Sequence, residues 1–361
     1  MKFVHIADMH FDSPFVNLSD IENMGERRRL EQRSVFKKII NYIKENDVEF
    51  LFISGDLYEQ KYIKKSTIEY INNLFKEIPN TKIFISPGNH DPFIKNSYYS
   101  KYKWSNNVKI FNSKIEKVEL ENINIYGFGF SDFYCKDCGI EEIVIDDKDK
   151  LNILILHGSL DCGNVEDREY NPLSKKKLEM KGFDYVALGH IHKSNYNTED
   201  NNKIIYPGST ISLGFDELGK HGMIVGEIKK ENIDLKFVPV DEREFKILEL
   251  DVTNILYKEN LIEKINELIF EKNELIEIYL IGRRNFEINV YELYKLILNE
   301  KIIKIKDNTE INFDVSDLKN DFSLKGLFIK EMLEKLNAED LTDRDRRIIE
   351  KAIEIGLDAL N

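Results

Sequence analysis

Cysteine, tryptophan and long apolar runs are all scarce in this sequence of 361 residues. Its three cysteines provide no disulfide framework, which is typical of a protein of a reducing compartment. No apolar run approaches the length of a membrane span, and the first residues reach a charged side chain too soon for a signal peptide. We therefore expect a cytoplasmic protein with no membrane segment.

A net positive charge is also missing. The chain has 52 basic and 65 acidic residues, which gives a formal net charge of −13 at pH 7. Charge of this sign repels a phosphate backbone, so binding to nucleic acid would need local basic clusters or metal ions. Apolar residues make up 42% of the chain, which is enough for a core, and the length predicts one large domain with a smaller one.

What the sequence does contain is a repeated pattern in which a short apolar run ends in polar side chains. Residues 50–53 are all apolar and are followed by Ser54, Gly55 and Asp56, which predicts a buried strand that ends at a turn. Four further apolar runs end in the same way. The polar residues at the five strand ends are Asp8, His10, Asp56, Asn89, His157, His190 and His192. The pattern indicates an open α/β sheet, and because such sheets bind ligands at the carboxyl ends of their strands, we expect these side chains to meet in one crevice.

Seven candidate ligands exceed what a single ion needs, so the pattern predicts two metal ions. Asp, Asn and His together favour Mn²⁺, with Fe or Zn²⁺ as alternatives, over Ca²⁺. Asp56 is the natural ligand of both ions, because a carboxylate offers two oxygens with four lone-pair sites. Two neighbouring ions stabilise the attacking and leaving oxygens of a phosphoryl displacement. We therefore expect a phosphoesterase in which a hydroxide bridging the two metals attacks in line.

His90 follows Asn89 directly, and adjacent residues of a turn point in different directions. We expect His90 to face the substrate, either as a proton donor to the leaving oxygen or as a stabiliser of the transferred phosphoryl group. Asp91 is expected to accept a hydrogen bond from His90 and to orient it. Two histidines stand outside the pattern: we expect His5 in the core and His221 at a surface turn.

Two clusters of basic residues each allow two interpretations. The helix predicted around residues 26–45 begins with several arginines, which indicate either a solvated helix face or an edge that binds phosphate. These are Arg27, Arg28, Arg29 and Arg33. Residues 95–104 interleave lysines with aromatic rings, which either stack on single-stranded nucleic acid or pack as an ordinary loop. The rings belong to Tyr98, Tyr99, Tyr102 and Trp104.

Two smaller motifs are also ambiguous. Cys135 and Cys138 have the spacing of half a zinc site, but no second pair follows and Cys162 stands alone, which favours two loop thiols. Ser209 lies in the turn 207–210, which either brings a hydroxyl near an anion or is a plain tight turn.

A charged stretch near residues 241–245 indicates a domain boundary. Before it, alternating strands and helices predict a layered α/β domain over residues 1–240. After it, strand and helix patterns predict a small α/β cap over residues 245–310. Two helices over residues 320–361 end the chain, and they either bind a partner or pack on the cap.

Taken together, the motifs resemble the five signatures of calcineurin-like metallophosphoesterases. The resemblance is carried by Asp8-x-His10, Gly55-Asp56, Gly88-Asn89-His90-Asp91, His157-Gly158 and Gly189-His190-x-His192. It implies a two-layer β-sandwich flanked by helices instead of an open sheet, and His90 as the catalytic histidine. It also implies two ligand sets that share one aspartate. These sets are Asp8, His10, Asp56 and His192 for one metal, and Asp56, Asn89, His157 and His190 for the other.

Within that superfamily the chain is most similar to SbcD-type DNA repair nucleases, especially their YhaO-like branch. Residues 8–15 and 206–210 carry this resemblance, together with the cap and the terminal helices. It implies an exonuclease or endonuclease that acts on DNA with an SbcC-like, SMC-type ATPase as partner, and it leaves a homodimer open. Where some relatives have a second catalytic histidine this chain has Glu59, which could still accept a hydrogen bond near the substrate.

Two other functions remain as alternatives. One is a phosphatase or phosphodiesterase for small phosphate esters, which the negative net charge favours. The other is a non-catalytic scaffold of the same fold, although a scaffold has no need of seven metal ligands.

Overall fold

The structure is a computed structural model that describes residues 1–18, 23–161, 170–230, 232–311, 323–338 and 341–359. The chain forms two compact units. One consists of Met1–Lys246 with Lys272–Leu275, and the other of Ile247–Glu271 with Ile276–Asn361. All of the predicted metal ligands belong to the first unit.

Strands and helices alternate through most of the first unit. Its strands are β1 (Lys2–Ile6), β2 (Phe50–Ile53), β3 (Lys82–Ile85), β4 (Val108–Ile110), β5 (Glu116–Glu119), β6 (Ile123–Gly127), β7 (Leu151–His157), β8 (Tyr185–Gly189), β9 (Ile204–Ile205), β10 (Gly222–Lys229) and β11 (Asn232–Pro239). Among the described residues its helices are α1 (Met24–Glu45), α2 (Lys65–Lys76), α3 (Tyr98–Lys101) and α4 (Lys175–Lys181), with 3-10 turns at Val16–Leu18 and Ile140–Glu142.

These strands form two sheets that face each other across one apolar core. The strand orders are β11-β10-β1-β2-β3-β4 and β5-β6-β7-β8-β9. Strands β1 to β4 are parallel to one another, as are β6 to β9. Strand β10 is antiparallel to both β1 and β11, and β5 is antiparallel to β6. The core between the sheets includes Phe52 and Phe84 from the first sheet and Ile153 and Tyr185 from the second. The α/β class and the two-layer sandwich are confirmed, and the single open sheet is wrong.

Helices cover the outer face of each sheet. On the first sheet, Phe36 and Ile39 of α1 are buried in a cluster with Leu51 of β2. On the second, Leu178 of α4 is buried with Leu156 of β7. Because both sheets are covered on both faces, their central strands are continuous apolar runs, which is why the sequence marks them clearly.

One polar link crosses the core between the sheets. In β1, Nδ1 of His5 lies 2.9 Å from the hydroxyl of Tyr185, and Nε2 lies 3.0 Å from Oγ of Ser54. Ser54 donates in turn to the carbonyl of Ala187 over 3.1 Å. Burial lowers the pKa of His5 to about 3, so the ring is neutral and can donate at one nitrogen and accept at the other. The expected core histidine is confirmed, and it ties β1 and the residue after β2 to β8.

The rest of the chain contains further strands and helices. In chain order these are β12 (Glu244–Asp251), α5 (Lys258–Asn266), β13 (Glu274–Ile281), β14 (Arg283–Arg284), α6 (Val290–Leu296), β15 (Ile302–Asp307), β16 (Glu310–Ile311), α7 (Leu324–Leu336) and α8 (Asp343–Ala359). Strands β12, β13 and β15 form a sheet, against which Leu261 of α5 and Leu293 of α6 are buried. Helices α7 and α8 pack through Ile329 and Ile353. Among the described helices, none has the length and apolar character needed to span a membrane.

Candidate metal centre

Strand ends from both sheets bring the predicted ligands together. Asp8 and His10 follow β1, Asp56 follows β2, Asn89 follows β3, His157 ends β7, and His190 and His192 follow β8. Backbone hydrogen bonds hold neighbouring segments in place: Asp8 donates to the carbonyl of Gly55 over 3.1 Å, and His10 donates to the carbonyl of Asp56 over 2.9 Å. Separate segments of the chain therefore converge on one crevice.

The carboxylate of Asp56 lies at the middle of this group and is almost fully buried. Its Oδ2 is 3.3 Å from Nε2 of His157 and 3.8 Å from Nε2 of His10. Its Oδ1 accepts a hydrogen bond of 2.8 Å from the backbone N–H of His90. One carboxylate oxygen therefore faces a histidine of each predicted metal set.

The surroundings of His157 have the chemistry of a cation site. Its Nδ1 lies 2.8 Å from the carbonyl of Ser54, which fixes the Nδ1–H form of a neutral ring. Its Nε2 then presents a lone pair to two oxygen acceptors, Oδ1 of Asn89 at 2.9 Å and Oδ2 of Asp56 at 3.3 Å. A proton on Nε2 can also face these two oxygens. Burial lowers the pKa of His157, but the charge of Asp56 outweighs burial and raises the pKa to about 9. The site therefore favours a positive charge at this point.

A similar arrangement surrounds the first predicted set. Nε2 of His10 and Nε2 of His192 face each other at 3.2 Å. Both rings are held from behind by carboxylates, with Nδ1 of His10 at 2.8 Å from Glu59 and Nδ1 of His192 at 2.6 Å from Glu217. A carboxylate on one ring nitrogen directs the lone pair of the other toward a metal, which is the common pattern of metal-binding histidines.

Three overlapping groups of described side chains have ligand atoms within 4.8 Å of one another and could hold a metal ion. They are Asp8, His10 and His192; His10, Asp56 and His90; and Asp8, Asp56 and His157. His190 lies beside the third group, with its ring 5.2 Å from that of His157. Burial and the neighbouring His157 lower the pKa of His190 to about 3, so its ring is neutral and available as a ligand.

The backbone at the ligands adopts conformations that side chains normally avoid. The φ angles are 51° at Asp8, 48° at His10, 52° at Asp56 and 104° at His190. Gly55 has a φ of 91°, and a Cβ there would lie 2.3 Å from Nδ1 of His157. Non-glycine residues in this region are strained and cluster at functional sites.

His90 projects outward beside these groups, with 45% of its side chain exposed. Its Nδ1 donates over 3.0 Å to Oε2 of Glu59, the carboxylate whose other oxygen binds His10. Burial lowers the pKa of His90, but the hydrogen bond to Glu59 outweighs burial and raises the pKa to about 9. His90 is therefore protonated at neutral pH and can donate a proton from Nε2.

The hydrogen bonds of Asp91 go to other partners, so the expectation that it orients His90 is wrong. Its buried carboxylate accepts from the backbone N–H groups of Asp56 over 3.1 Å and of Leu57 and Gly88 over 2.7 Å. It also accepts from the hydroxyl of Tyr99 over 2.7 Å. Asp91 thus fixes the loops that carry Asp56 and Asn89, and Glu59 contacts His90 instead.

Two predicted substrate contacts lie in the interior, so those expectations are wrong. The Arg28 side chain is buried, and it donates over 2.9 Å to Asp241 and over 2.7 Å to Glu31. Ser209 is also buried, and its hydroxyl donates over 2.7 Å to Oε2 of Glu217. Arg27 is exposed on the same helix as Arg28, so its predicted contact with substrate stays a prediction.

The aromatic residues near α3 face inward, so packing is the right interpretation of that cluster. Tyr99 is 5% exposed, and Tyr98, Tyr102 and Trp104 pack against the core that α1 and α2 cover. Cys135 is a half-buried free thiol and Cys138 a buried one, as favoured above, and Cys162 lies outside the described residues.

Sequence reasoning missed Glu217 and misplaced His221. His221 is buried, with Nδ1 at 2.8 Å from Oγ of Ser209 and Nε2 at 3.1 Å from the carbonyl of Glu217. Glu217 links this pair to His192, from which it is 25 residues distant in the chain. No local motif marks an acidic residue that far from its histidine.

A cluster of Asp, Asn and His side chains at the strand ends of a two-layer α/β sandwich is the site of a metal-dependent phosphoesterase. The sequence pattern of the Calcineurin-like phosphoesterase family matches residues 1–194. This match spans more than half of the chain, and the chain belongs to that family.

Two curated relatives are similar over most of the chain. The "Uncharacterized metallophosphoesterase YhaO" of Bacillus subtilis is 26% identical over 262 residues, which cover 70% of this chain and 64% of that protein. The SbcD component of the nuclease SbcCD of Staphylococcus epidermidis is 29% identical over 293 residues, which cover 71% of this chain and 74% of that protein. The crystal structure of TT1561 of Thermus thermophilus has a TM-score of 0.40 and 8% identity, over 65% of this chain and 98% of that one. A likeness of that size does not bear on function.

Proposed function

We propose that this protein is a two-metal phosphodiesterase that hydrolyses DNA phosphodiester bonds, as an exonuclease or endonuclease in DNA repair. The observation that carries the proposal is the position of Oδ2 of Asp56, which faces Nε2 of both His10 and His157. A carboxylate shared in this way suits two close cations, the arrangement used for phosphoryl displacement. DNA as the substrate is supported by the similarity to the SbcD component of the SbcCD nuclease.

The donor set fits two divalent ions, and we expect Mn²⁺, with Fe or Zn²⁺ as alternatives. One ion would be held by Asp8, His10, Asp56 and His192, and the other by Asp56, Asn89, His157 and His190. When bound, the ions would supply positive charge to the phosphoryl oxygens and lower the pKa of a water.

The side chains around these ligands would orient rings and move a proton. His90, protonated at neutral pH, would donate from Nε2 to the leaving oxygen. Glu59 holds the Nδ1 side of that ring, so Nε2 is the nitrogen left to face a substrate. Glu59 and Glu217 also fix His10 and His192 with their Nε2 atoms toward the ligand crevice.

A phosphatase or phosphodiesterase for small phosphate esters is the second candidate function. The net charge of −13 favours it, since a long polyanion would be repelled by most of the surface. The internal position of Arg28 removes one of the cations expected to offset that charge. A non-catalytic scaffold is disfavoured, because the ligand set and the carboxylates that orient its histidines are intact.

We also propose a cytoplasmic protein that pairs with an SbcC-like, SMC-type ATPase. The relative named as a component of the SbcCD nuclease supports this pairing. The candidate contact is the pair α7 and α8, on which Leu324 is 70% exposed and Ile355 is 61% exposed. Exposed apolar side chains on paired helices are typical of a surface that another chain covers. A homodimer of this chain is the alternative assembly.

Turnover of labelled duplex and single-stranded DNA with Mn²⁺ tests the proposal, with bis-p-nitrophenyl phosphate and nucleotide monoesters as competing substrates. We expect cleavage of DNA, loss of both metals and of activity in Asp56→Ala, and neither loss in Asp234→Ala, an exposed aspartate of β11. Turnover of small esters alone would favour the second candidate. Absence of hydrolysis with every divalent metal would reject both.

A further inference from the structure

Three aromatic rings follow one another outward from the metal centre. The ring of Tyr170 lies against that of His190, with centroids 5.2 Å apart and planes inclined by 34°. The ring of Tyr134 lies against that of Tyr170 in the same manner, at 5.8 Å and 32°. His190, Tyr170 and Tyr134 therefore form a tilted stack that begins at a predicted metal ligand.

Tyr170 is held in place from two sides by the backbone. Its carbonyl accepts a hydrogen bond of 3.1 Å from Ser159, in the segment that follows His157. On the other side it pairs as a β-bridge with Cys135, the residue directly after Tyr134. The next residue, Asn171, donates from its side chain to the carbonyl of His157 over 2.8 Å. The position of the stack is thus fixed by the same segments that place the ligands.

The outer end of the stack is open to solvent. Tyr134 is 57% exposed, and its neighbour Phe133 is 43% exposed. Large aromatic side chains are normally covered, and an exposed pair at the edge of a polar crevice is typical of a binding surface. Aromatic faces bind nucleobases by stacking without regard to sequence, because every base has a π face.

We propose that the Tyr134–Tyr170 pair is a platform for a nucleobase of single-stranded DNA next to the scissile phosphate. The phosphate would lie at the metal centre, and the base of an adjoining nucleotide would stack on the exposed face of Tyr134. The proposal rests on the proposed DNA phosphodiesterase function and adds the base contact to it. The rings of residues 98–104 face the core and are not available to a base. The proposal therefore assigns base stacking to Tyr134 and Tyr170, which adjoin His190.

The test measures binding of two single-stranded oligonucleotides of equal length and charge, one with bases and one abasic throughout. Fluorescence anisotropy is recorded with Mn²⁺ in the His90→Ala background, so that bound DNA is not cleaved. We expect Tyr134→Ala to weaken binding of the base-bearing strand about tenfold and to leave the abasic strand unchanged. Tyr134→Phe and Tyr134→Trp should bind as the parent does, because both keep an aromatic face.

Tyr291→Ala is the matched control, because Tyr291 is a tyrosine that is 69% exposed on α6. Equal weakening of both strands by Tyr134→Ala, or weakening of neither, would overturn the platform while DNA cleavage by the wild-type protein still supported the proposed function. A wild-type protein that neither binds nor cleaves DNA would overturn both together. The cleavage assay and the ratio of the two affinities therefore separate the two failures.

Discussion

Oε2 of Glu59 lies 3.0 Å from Nδ1 of His90, and its other oxygen lies 2.8 Å from Nδ1 of His10. One carboxylate therefore orients both a predicted metal ligand and the predicted proton donor. Burial opposes its ionisation, but the hydrogen bonds from His10 and His90 lower the pKa of Glu59 to about 2. It is charged throughout the physiological range, so its effect on His90 does not switch off near neutral pH.

Replacing Glu59 by Gln should change the pH dependence of turnover. The proton donor must carry its proton, and the hydrogen bond to Glu59 outweighs burial and raises the pKa of His90 above its ordinary value. Loss of the negative charge should bring the pKa of His90 toward its ordinary value near 6.5, so the basic limb of kcat should move to lower pH. Profiles of kcat against pH for both proteins check this, with metal content measured alongside because Glu59 also contacts His10. Coincident basic limbs would contradict it.

His90→Ala should keep both metals and lose most of the turnover. General acid catalysis by one side chain contributes about 10²- to 10⁴-fold, and kcat should fall within that range. Elemental analysis of the purified variant gives the metal content, and steady-state kinetics give kcat. Because His90 also lies in a possible ligand group with His10 and Asp56, loss of a metal would instead make it a ligand.

Glu217→Gln should weaken metal binding while leaving the fold intact. Glutamine keeps the size of the side chain but removes the charge that fixes His192 through Nδ1, and partners of this kind contribute about 10- to 100-fold in metal affinity. Calorimetric titration with Mn²⁺ measures the change. Glu227→Gln, at a half-exposed position of β10, is the control and should bind as the wild-type protein does. Equal affinities for the two variants would rule out this role for Glu217.

Metal affinity should rise with pH up to about 9. In the metal-free protein, burial lowers the pKa of both His157 and His192. This effect is outweighed by Asp56 at His157 and by Glu217 at His192, and the pKa of each ring is raised to about 9. Since only neutral imidazole binds a metal, each ion must displace a proton below that pH, and each proton contributes up to about tenfold per pH unit. Mn²⁺ titrations in buffers of different ionisation enthalpy count the protons released. An affinity that does not change over this range would contradict the prediction.

The convergence of the candidate ligands could be predicted because their signal is local. Each ends or follows a buried strand whose apolar run is visible in a few consecutive residues. Asp56 after residues 50–53 is the plainest case. The family resemblance added the division into two sets, which spacing alone does not provide.

What could not be predicted depends on partners that are distant in the chain. Arg28 is held in the interior by Asp241, 213 residues later, whose two oxygens accept hydrogen bonds from both terminal nitrogens of the guanidinium. Asp91 is next to His90 in the chain, but its carboxylate accepts hydrogen bonds from the backbone N–H groups of Asp56 and Gly88 instead. Lysines interleaved with aromatic residues give the same sequence pattern whether the rings face solvent or the core. Residues 95–104 therefore could not distinguish a nucleic-acid contact from ordinary packing.

The polar link through His5 has a consequence for the chemistry. Asp8 and Asp56 extend from one sheet and His157 and His190 from the other, so the relative positions of these predicted ligands depend on the spacing between the two sheets. His5 and Tyr185 join the two sheets within the core, and Ser54, which contacts His5, also holds His157 through its carbonyl. The geometry of the candidate site thus depends on packing in the interior, and a substitution that changes the volume of the core would shift the ligands relative to one another without replacing any of them.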